Sequence, residues 1–412
     1  MYDCVNIDSS INMSDDAAPW LSADAASRRL GVTRATLYAY VSRGYVRSQA
    51  VPGSSRERSS ARDDIDRLRR RAEERRAPGK AAAGALQWGV PILESSIAFI
   101  DGQRLYYRGY DAAQLARSRS LEDVAGLIWN GKFESLGPAS PAEPITLPAA
   151  RLPFVARAQS LLAAAAVRDP LALDLRRSSV ALTGTRILRL LTLAATGANR
   201  MHGPADETLA RHWRVSGKGR VVIRAALVLC ADHELNVSSF TARCVASAGS
   251  HPYAAVIAGL AALEGPKHGG ASARVEAMMT SIPRAALRGA LTERRARGEP
   301  IEGFGHPLYP GGDPRARLLL DLLREHYPTS AEYRFVSNVA RAATRATGEY
   351  PNVDFALAAV GRVLALPPGS PLVLFALGRS VGWIGHAIEQ YATGQLIRPR
   401  AKYVGAAPLA TQ

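Results

Sequence analysis

The sequence predicts a mainly α-helical protein, in which one long helical region follows a small basic module. Three observations predict it. Aromatic residues are only 7% of the chain while alanine is plentiful, which favours helices over a sandwich or barrel. Residues from about Trp20 to Arg76 are polar and dense in arginine, whereas the chain turns apolar from Leu86 onward. Between the two, Pro78, Gly79 and Gly84 punctuate a stretch that no hydrophobic period crosses. The expected segments are a disordered tail (1–16), the basic module (17–76), a linker (77–85) and the main region (86–412).

Composition bounds the function. The 412 residues carry 52 Lys and Arg against 36 Asp and Glu, a net charge of +16. Such a balance suits nucleic acid, acidic membrane surfaces or anionic small molecules, without choosing among them. A hydrophobic share of 47% supports a large core and excludes a wholly disordered chain. Three cysteines, Cys4, Cys230 and Cys244, exclude a disulfide-stapled module. No run of about 18–20 uninterrupted apolar residues suggests a membrane span. Met1 to Asp16 carries acids and no basic region of the kind that opens a signal peptide. A cytoplasmic protein without a membrane partner is the expectation.

The elements of the module follow in order. Ser22 is placed to cap a helix with Ala25, Ala26 and Leu30 on its inner face, and Gly31 stops that helix. Thr33 can cap a second helix, Arg34 to Ser42, with Leu37 and Val41 inward. Gly44-Tyr45-Val46 starts a turn, and Pro52 to Arg58 suits the tip of a hairpin wing. Asp63, Asp64 and Asp66 open a further helix with acids at its positive end, followed by the arginines Arg69 to Arg76. Helix, glycine turn and capped second helix form the helix-turn-helix pattern. The segment resembles the MerR and excisionase type of winged helix-turn-helix, a DNA-binding family. That resemblance directs Thr33, Arg34, Thr36 and Tyr40 to a major groove and Arg56 and Arg58 to phosphates. A helical docking module with a solvated arginine face is the competing reading.

Four clusters in the main region carry chemistry. They are Ala231-Asp232-His233-Glu234-Leu235-Asn236 with Ser238, Ser239 and Thr241; Gly265-Pro266-Lys267-His268-Gly269-Gly270; Gly303-Phe304-Gly305-His306-Pro307-Leu308-Tyr309 with Asp313 and Arg315; and Tyr350-Pro351-Asn352-Val353-Asp354. Gly269 and Gly270 would let a substrate approach the backbone beside His268. Ala271 to Met279 reads as a helix, which places His268 near a helix N-terminus, where the neutral imidazole is favoured. His306 falls in a loop, and Asp354 falls at a helix start. Two loop histidines and one carboxylate suit proton abstraction beside a carbonyl, with a second carbonyl polarised opposite. Metal binding is disfavoured because no two of these residues have the close spacing of common metal motifs. Taken singly, a histidine beside glycine is usually a turn residue and Asn-Val-Asp is usually a cap. His202, His212, His251, His326 and His386 read as structural, and Cys230 and Cys244 as buried thiols.

Taken together and in this order, the clusters resemble the citrate synthase family across roughly residues 86 to 405. Leu105 to Tyr110, Gly378 to His386 and Leu396 to Gly405 agree with further motifs of that family. The resemblance implies a mainly α fold, with a large domain and a small mobile domain at about 250–355, and a homodimer with shared active sites. It implies Asp354 as the base on the methyl group of acetyl-CoA, His268 as the hydrogen-bond donor to the thioester oxygen, and His306 as the group polarising the ketone of oxaloacetate. His233, Arg315, Arg379 and Arg398 match substrate-binding positions, with Arg398 entering the neighbouring subunit's site. No permanent cofactor is implied; acetyl-CoA or propionyl-CoA is a co-substrate. Three departures stand out: Pro307 and Leu308 replace a basic residue and Val after His306, the stretch from about Pro138 to Ala198 is compressed and alanine-rich, and the N-terminal module stands where NADH-regulated members carry a β-domain. Regulation by NADH is therefore not expected. The competing functions are citrate synthase, 2-methylcitrate synthase, and a DNA-binding regulator whose synthase-like domain senses acyl-CoA or a dicarboxylate.

Overall fold

The computed structural model describes residues 19–51, 57–66, 68–69, 93–134 and 152–406. The expected tail (1–16) and linker (77–85), together with Arg56 and the arginines 70–76, lie outside the described residues. The chain forms two compact units, Met1–Glu94 and Ser95–Gln412.

In the first unit, the Ser22 hydroxyl accepts from the Ala25 amide at 3.2 Å and starts helix Ala23–Leu30. Gly31 ends that helix with φ 66°, a left-handed conformation that glycine adopts without strain. Thr33 Oγ1 accepts from the Thr36 amide at 3.2 Å and starts helix Arg34–Ser42, over the residues that the sequence predicts. Leu37 is buried in a small core with Leu21, Ala26, Val46 and Ile65, and Val41 packs at its margin. Strands Ser48–Ala50 and Arg58–Ala61 pair antiparallel on either side of the expected wing tip, whose residues 52–56 lie outside the described residues. A third strand, Trp20–Ser22, was not legible in the sequence, because it exists only by pairing Leu21 with the distant Ser60. Residues 62–66 are helical, as expected, but two of the acids serve tertiary ion pairs. Asp64 accepts from the backbone amide and Nε of Arg47, and Asp66 accepts from Arg29 Nε at 2.7 Å.

The second unit opens with an antiparallel meander, Ala98–Ile100, Leu105–Tyr107 and Tyr110–Asp111, and the remaining elements among its described residues are helices. The alanine-rich stretch forms two helices of 15 and 20 residues, Phe154–Arg168 and Arg177–Thr196. The 24-residue helix Ser370–Thr393 is the axis of the core, with nearly every residue from Ser370 to Gln390 buried. It packs on Val237–Ser247, Pro252–Leu263, Arg177–Thr196 and Gly217–Leu229. Arg379, His386 and Glu389 interrupt this helix, in keeping with the lack of a long uninterrupted apolar run; by length and mean hydropathy alone it is long and apolar enough to cross a membrane, and its apolar surface is buried within the unit. Its neighbours approach closely because they are small. A Cβ on Gly259 would stand 2.6 Å from the Trp383 ring, and one on Gly378 would stand 2.4 Å from the Leu227 carbonyl oxygen. Trp129 ties into the same axis by donating its indole N–H to the Val381 carbonyl at 2.8 Å. Such packing gives a rigid wall on which side chains at the helix ends can be held.

Candidate active site

Three segments far apart in sequence are laced together, two by backbone bonds and the third through a side-chain bond. The Gly305 amide donates to the Tyr350 carbonyl, and the Asn352 amide donates to the Gly303 carbonyl, both at 2.9 Å. Asn352 Nδ2 donates to the Gly305 carbonyl at 3.1 Å. The His306 loop therefore rides on the start of helix Val353–Val363, which carries Asp354 in its first turn. Asn352 caps that helix, its Oδ1 accepting from the amides of Asp354 and Phe355. Asp354 Oδ1 accepts from Ser272 Oγ at 2.6 Å, and Ser272 lies one turn beyond His268, in helix Gly270–Ser281. These bonds bring the segments of His268, His306 and Asp354 to one place.

The surroundings set the protonation states. Burial lowers His268 to about 4, and the positive Arg379 reinforces the effect. Burial lowers His306 to about 4 as well, again with help from an arginine, Arg315. His233 is pushed well below the ordinary histidine range by burial and then by Arg315 and Arg379. All three rings are neutral near pH 7. The sequence expectation of a neutral His268 thus holds, with burial rather than the helix terminus as the leading cause. Burial also raises Asp354, although the Ser272 bond and Arg315 pull the other way.

Hydrogen bonds orient the rings. The Leu308 amide donates to His306 Nδ1 at 3.2 Å, so the proton of the neutral ring sits on Nε2. His233 and His306 meet edge to face with centroids 5.1 Å apart, and His233 Nε2 lies 3.0 Å from the Tyr309 hydroxyl. His268 Nε2 lies 2.9 Å from Ser238 Oγ, which also accepts from the Trp383 indole N–H at 3.1 Å. The same hydroxyl lies 2.9 Å from Asn236 Oδ1.

The two buried arginines are treated differently. Arg315 is clamped by Asp313, its Nε and Nη2 donating to the two carboxylate oxygens at 3.0 and 2.8 Å. The pairing outweighs burial and holds Arg315 more firmly protonated. Arg379 donates from Nε to the Cys230 carbonyl at 2.9 Å, while its Nη1 is buried without a protein partner. A buried guanidinium N–H left open is costly unless an acceptor arrives. Cys230 is a buried thiol pushed up to about 12 by burial, and Cys244 is partly buried.

Neutral imidazoles, a buried carboxylate and an open buried guanidinium define a site for carbon-acid chemistry on an anionic substrate. The comparisons agree. Residues 85–400 match the citrate synthase C-terminal domain family, and the chain belongs to the citrate synthase family. It is 32% identical to the citrate synthase of Haloferax volcanii, over 77% of this chain and 94% of that protein. It is 26% identical to the 2-methylcitrate synthase of Shewanella oneidensis, over 80% and 96%. Its fold resembles that of a Thermoplasma acidophilum citrate synthase solved in ternary complex with carboxymethyl coenzyme A and oxaloacetate, with a TM-score of 0.68, 25% identity, and coverage of 78% and 96%. The protein is accordingly a condensing acyltransferase of that family, which uses an acyl-CoA co-substrate and no permanent cofactor.

The remaining residues singled out in the sequence lie as follows. Arg398 is exposed in the extended segment after helix Ser370–Thr393. In the first unit, Thr33 and Thr36 bond each other, their hydroxyls 3.0 Å apart, and Arg34 pairs with Asp24. Tyr40 packs beside the small core and edge-on to Tyr45, and Arg58 donates from Nε to Ser48 Oγ at 3.0 Å. Sequence reasoning gave no role to Ser238, Ser272, Tyr309 or Asp313. Except for Ser272, each stood inside one of the four clusters, which was the available signal. His386, read as structural, lies wholly buried 3.1 Å from Asp232, the residue preceding His233.

Proposed function

We propose that the protein condenses acetyl-CoA with oxaloacetate to give citrate and CoA. Asp354 takes a proton from the methyl group, and His268 donates a hydrogen bond to the thioester oxygen as it gains negative charge. The new enol carbon attacks the ketone carbon of oxaloacetate, and His306 delivers its Nε2 proton to the ketone oxygen. Water then hydrolyses the citryl thioester and releases the CoA thiol. Arg315, Arg379 and His233 hold the substrate carboxylates, for which a planar guanidinium fork is suited. The observation that carries this reading is the buried, open Nη1 of Arg379 near the neutral His268 and His233 rings, with the neutral His306 against His233. Two features fit the proton chemistry. Raising a carboxyl makes it a stronger base, and a neutral imidazole donates without prior charge. The role of His268 needs its proton on Nδ1, because Nε2 faces Ser238; the Ser238 hydroxyl then turns its proton from Asn236 Oδ1, which keeps the bond from the Ser239 amide, to Nε2.

Closure of residues at about 250–355 over the substrates would exclude water until condensation is complete. A homodimer in which Arg398 completes the partner's site belongs to the same proposal, and the exposure of Arg398 in one chain supports it. Propionyl-CoA is the competing acyl donor, since one methylene in a pocket is worth about 1–3 kcal/mol. The purified full chain is expected to release thiol from acetyl-CoA with oxaloacetate, and Asp354→Ala to abolish the release. Faster release with propionyl-CoA assigns 2-methylcitrate synthesis instead, and inactivity with every short acyl-CoA leaves a ligand-sensing domain.

A DNA-binding role for the first unit is a second proposal, supported by two capped helices joined through Gly31 and followed by paired strands. A mobility shift across a salt series tests it. Specific binding should weaken steeply with salt and vanish in Arg34→Ala with Arg56→Ala; retention of no DNA at low salt removes the proposal.

A further inference from the structure

The core helix carries Arg379, Gly382 and His386 at spacings of three and four, so they share one face. Asp232 sits on that face. A Cβ on Gly382 would stand 2.3 Å from Asp232 Oδ2 and 2.4 Å from the Ala231 carbonyl oxygen, so the loop rests directly on the bare helix backbone. Asp232 and His386 are both fully buried, and Nε2 of the ring lies 3.1 Å from Oδ2 without the alignment of a hydrogen bond. The other carboxylate oxygen accepts from the Glu234 amide at 3.1 Å, and Glu234 holds a left-handed φ of 53°. That strained turn presents His233. On its far side the Tyr107 hydroxyl, with one proton to donate, lies within 3.0 to 3.3 Å of the Val228, Leu229 and Asp232 carbonyls.

A buried carboxylate needs a cationic or donor partner. Two candidates share its face of the helix, and the site needs one of them free. Asp313 shows what a carboxylate does to an arginine here: it occupies both Nε and Nη2 of Arg315. An Asp232 that swung onto Arg379 in the same manner would use up the fork that faces the substrate. We propose that His386 is a positioning residue that occupies Asp232, keeps that carboxylate off Arg379, and locks the turn that aims His233. The inference rests on the reading of Arg379 and His233 as dicarboxylate-binding residues. The other charged neighbour of His386 is itself engaged. Glu389 Oε2 lies 4.0 Å from its Nδ1, and Glu389 accepts from the Ser96 amide and hydroxyl at 2.9 and 2.8 Å. Arg243 approaches Glu389 at 3.5 Å and gives its Nε to Gln390 Oε1.

The test uses the full chain with His386→Leu and His386→Gln, the latter restoring a donor of similar reach. Oxaloacetate binding is read by calorimetry without acyl-CoA, and both KM values are read from thiol release. His386→Leu is expected to weaken oxaloacetate binding by about tenfold or more, with the acyl-CoA KM unchanged within about twofold, and His386→Gln to recover most of the loss. In an Asp232→Asn background the His386→Leu effect should vanish, because no carboxylate remains to capture Arg379. Equal changes in both KM values, an effect that persists in the Asp232→Asn background, or unaltered oxaloacetate binding in His386→Leu would each overturn the proposal. If His386→Leu does not fold, His386→Gln and Asp232→Asn decide: the first should bind oxaloacetate within about threefold of wild type, and so should the second, which cannot capture Arg379 and keeps the acceptor for the Glu234 amide; a loss of about tenfold or more in either overturns the proposal. A wild-type protein that binds no oxaloacetate removes the reading beneath the inference, and the inference with it. A wild type that binds while the variants show no split removes the inference only.

Discussion

Acid should destabilise this fold through His268, and the size of the effect can be worked out. The ring is held at about 4 in the native unit, against an ordinary histidine value of 6.5. Between those limits the unfolded chain binds a proton that the native state refuses, so the unfolded state gains as pH falls. The stability that depends on a neutral His268 is fully present above 6.5 and is lost as pH drops toward 4. At pH 7 the unfolded state gains only about 0.2 kcal/mol from this group; at pH 5 the gain reaches about 2 kcal/mol, on the way to about 3.4 kcal/mol once both pKa values are passed. Substituting glutamine removes the titration while leaving a polar side chain near Ser238. Urea unfolding at pH 7 and pH 5 followed by tryptophan fluorescence reads the difference, since the buried Trp129 and Trp383 report on this core. Wild type should lose about 2 kcal/mol more than His268→Gln over that interval. A parallel decline, within about 0.5 kcal/mol, would show that His268 titrates as an ordinary exposed histidine, and the neutral-donor role would lose its physical basis.

Other consequences can be measured on the same preparation. Ser272→Ala removes a bond that lowers Asp354, so the acid limb of the kcat profile should move to higher pH and kcat should fall about tenfold; an unmoved limb refutes the contact. Ser238→Ala should lower kcat by about tenfold with little change in oxaloacetate KM, because it frees the tautomer of His268; a pure KM effect would argue against orientation. Asp313→Asn leaves Arg315 buried without its counter-charge and should cost about 3–5 kcal/mol in urea unfolding. Leu37→Ala should cost the first unit about 2–4 kcal/mol, read as faster proteolysis within residues 19–69; unchanged cleavage would place Leu37 outside that core.

What the sequence made legible was local, or was repeated along the chain. Thr33 with Leu37 and Val41 gave the bounds of helix Arg34–Ser42, because a cap and a period of apolar residues act within a few residues of themselves. The spacing of the histidine and aspartate clusters carried the family. The partners of those clusters were not legible. Ser238 reaches His268 across 30 positions and Ser272 reaches Asp354 across 82, distances over which no propensity or period acts. Why Gly378, Gly382 and Gly385 stand within the core helix was not legible either, since each lets a distant element touch the helix backbone. The burial of His386 belongs to the same class, since its partner Asp232 is brought to it by that close approach.

The two buried arginines show how one residue type is divided between structure and binding. Arg315 has its carboxylate two residues away, on the cap of its own helix, and Asp313 also accepts from the Val353 amide at the head of the helix that carries Asp354. That triple duty makes the Arg315 clamp part of the scaffold under the base; whatever charge remains on its outer edge is set by Asp313 before any substrate arrives. Among the described residues Arg379 donates to a backbone carbonyl and to no carboxylate, and its burial opposes its own charge. One guanidinium is thus balanced by a carboxylate and the other is not. In the proposed reaction oxaloacetate supplies the missing negative charge at Arg379, which also removes part of what depresses His268 and His233, so occupancy of the acceptor's place is coupled to the protonation of those rings.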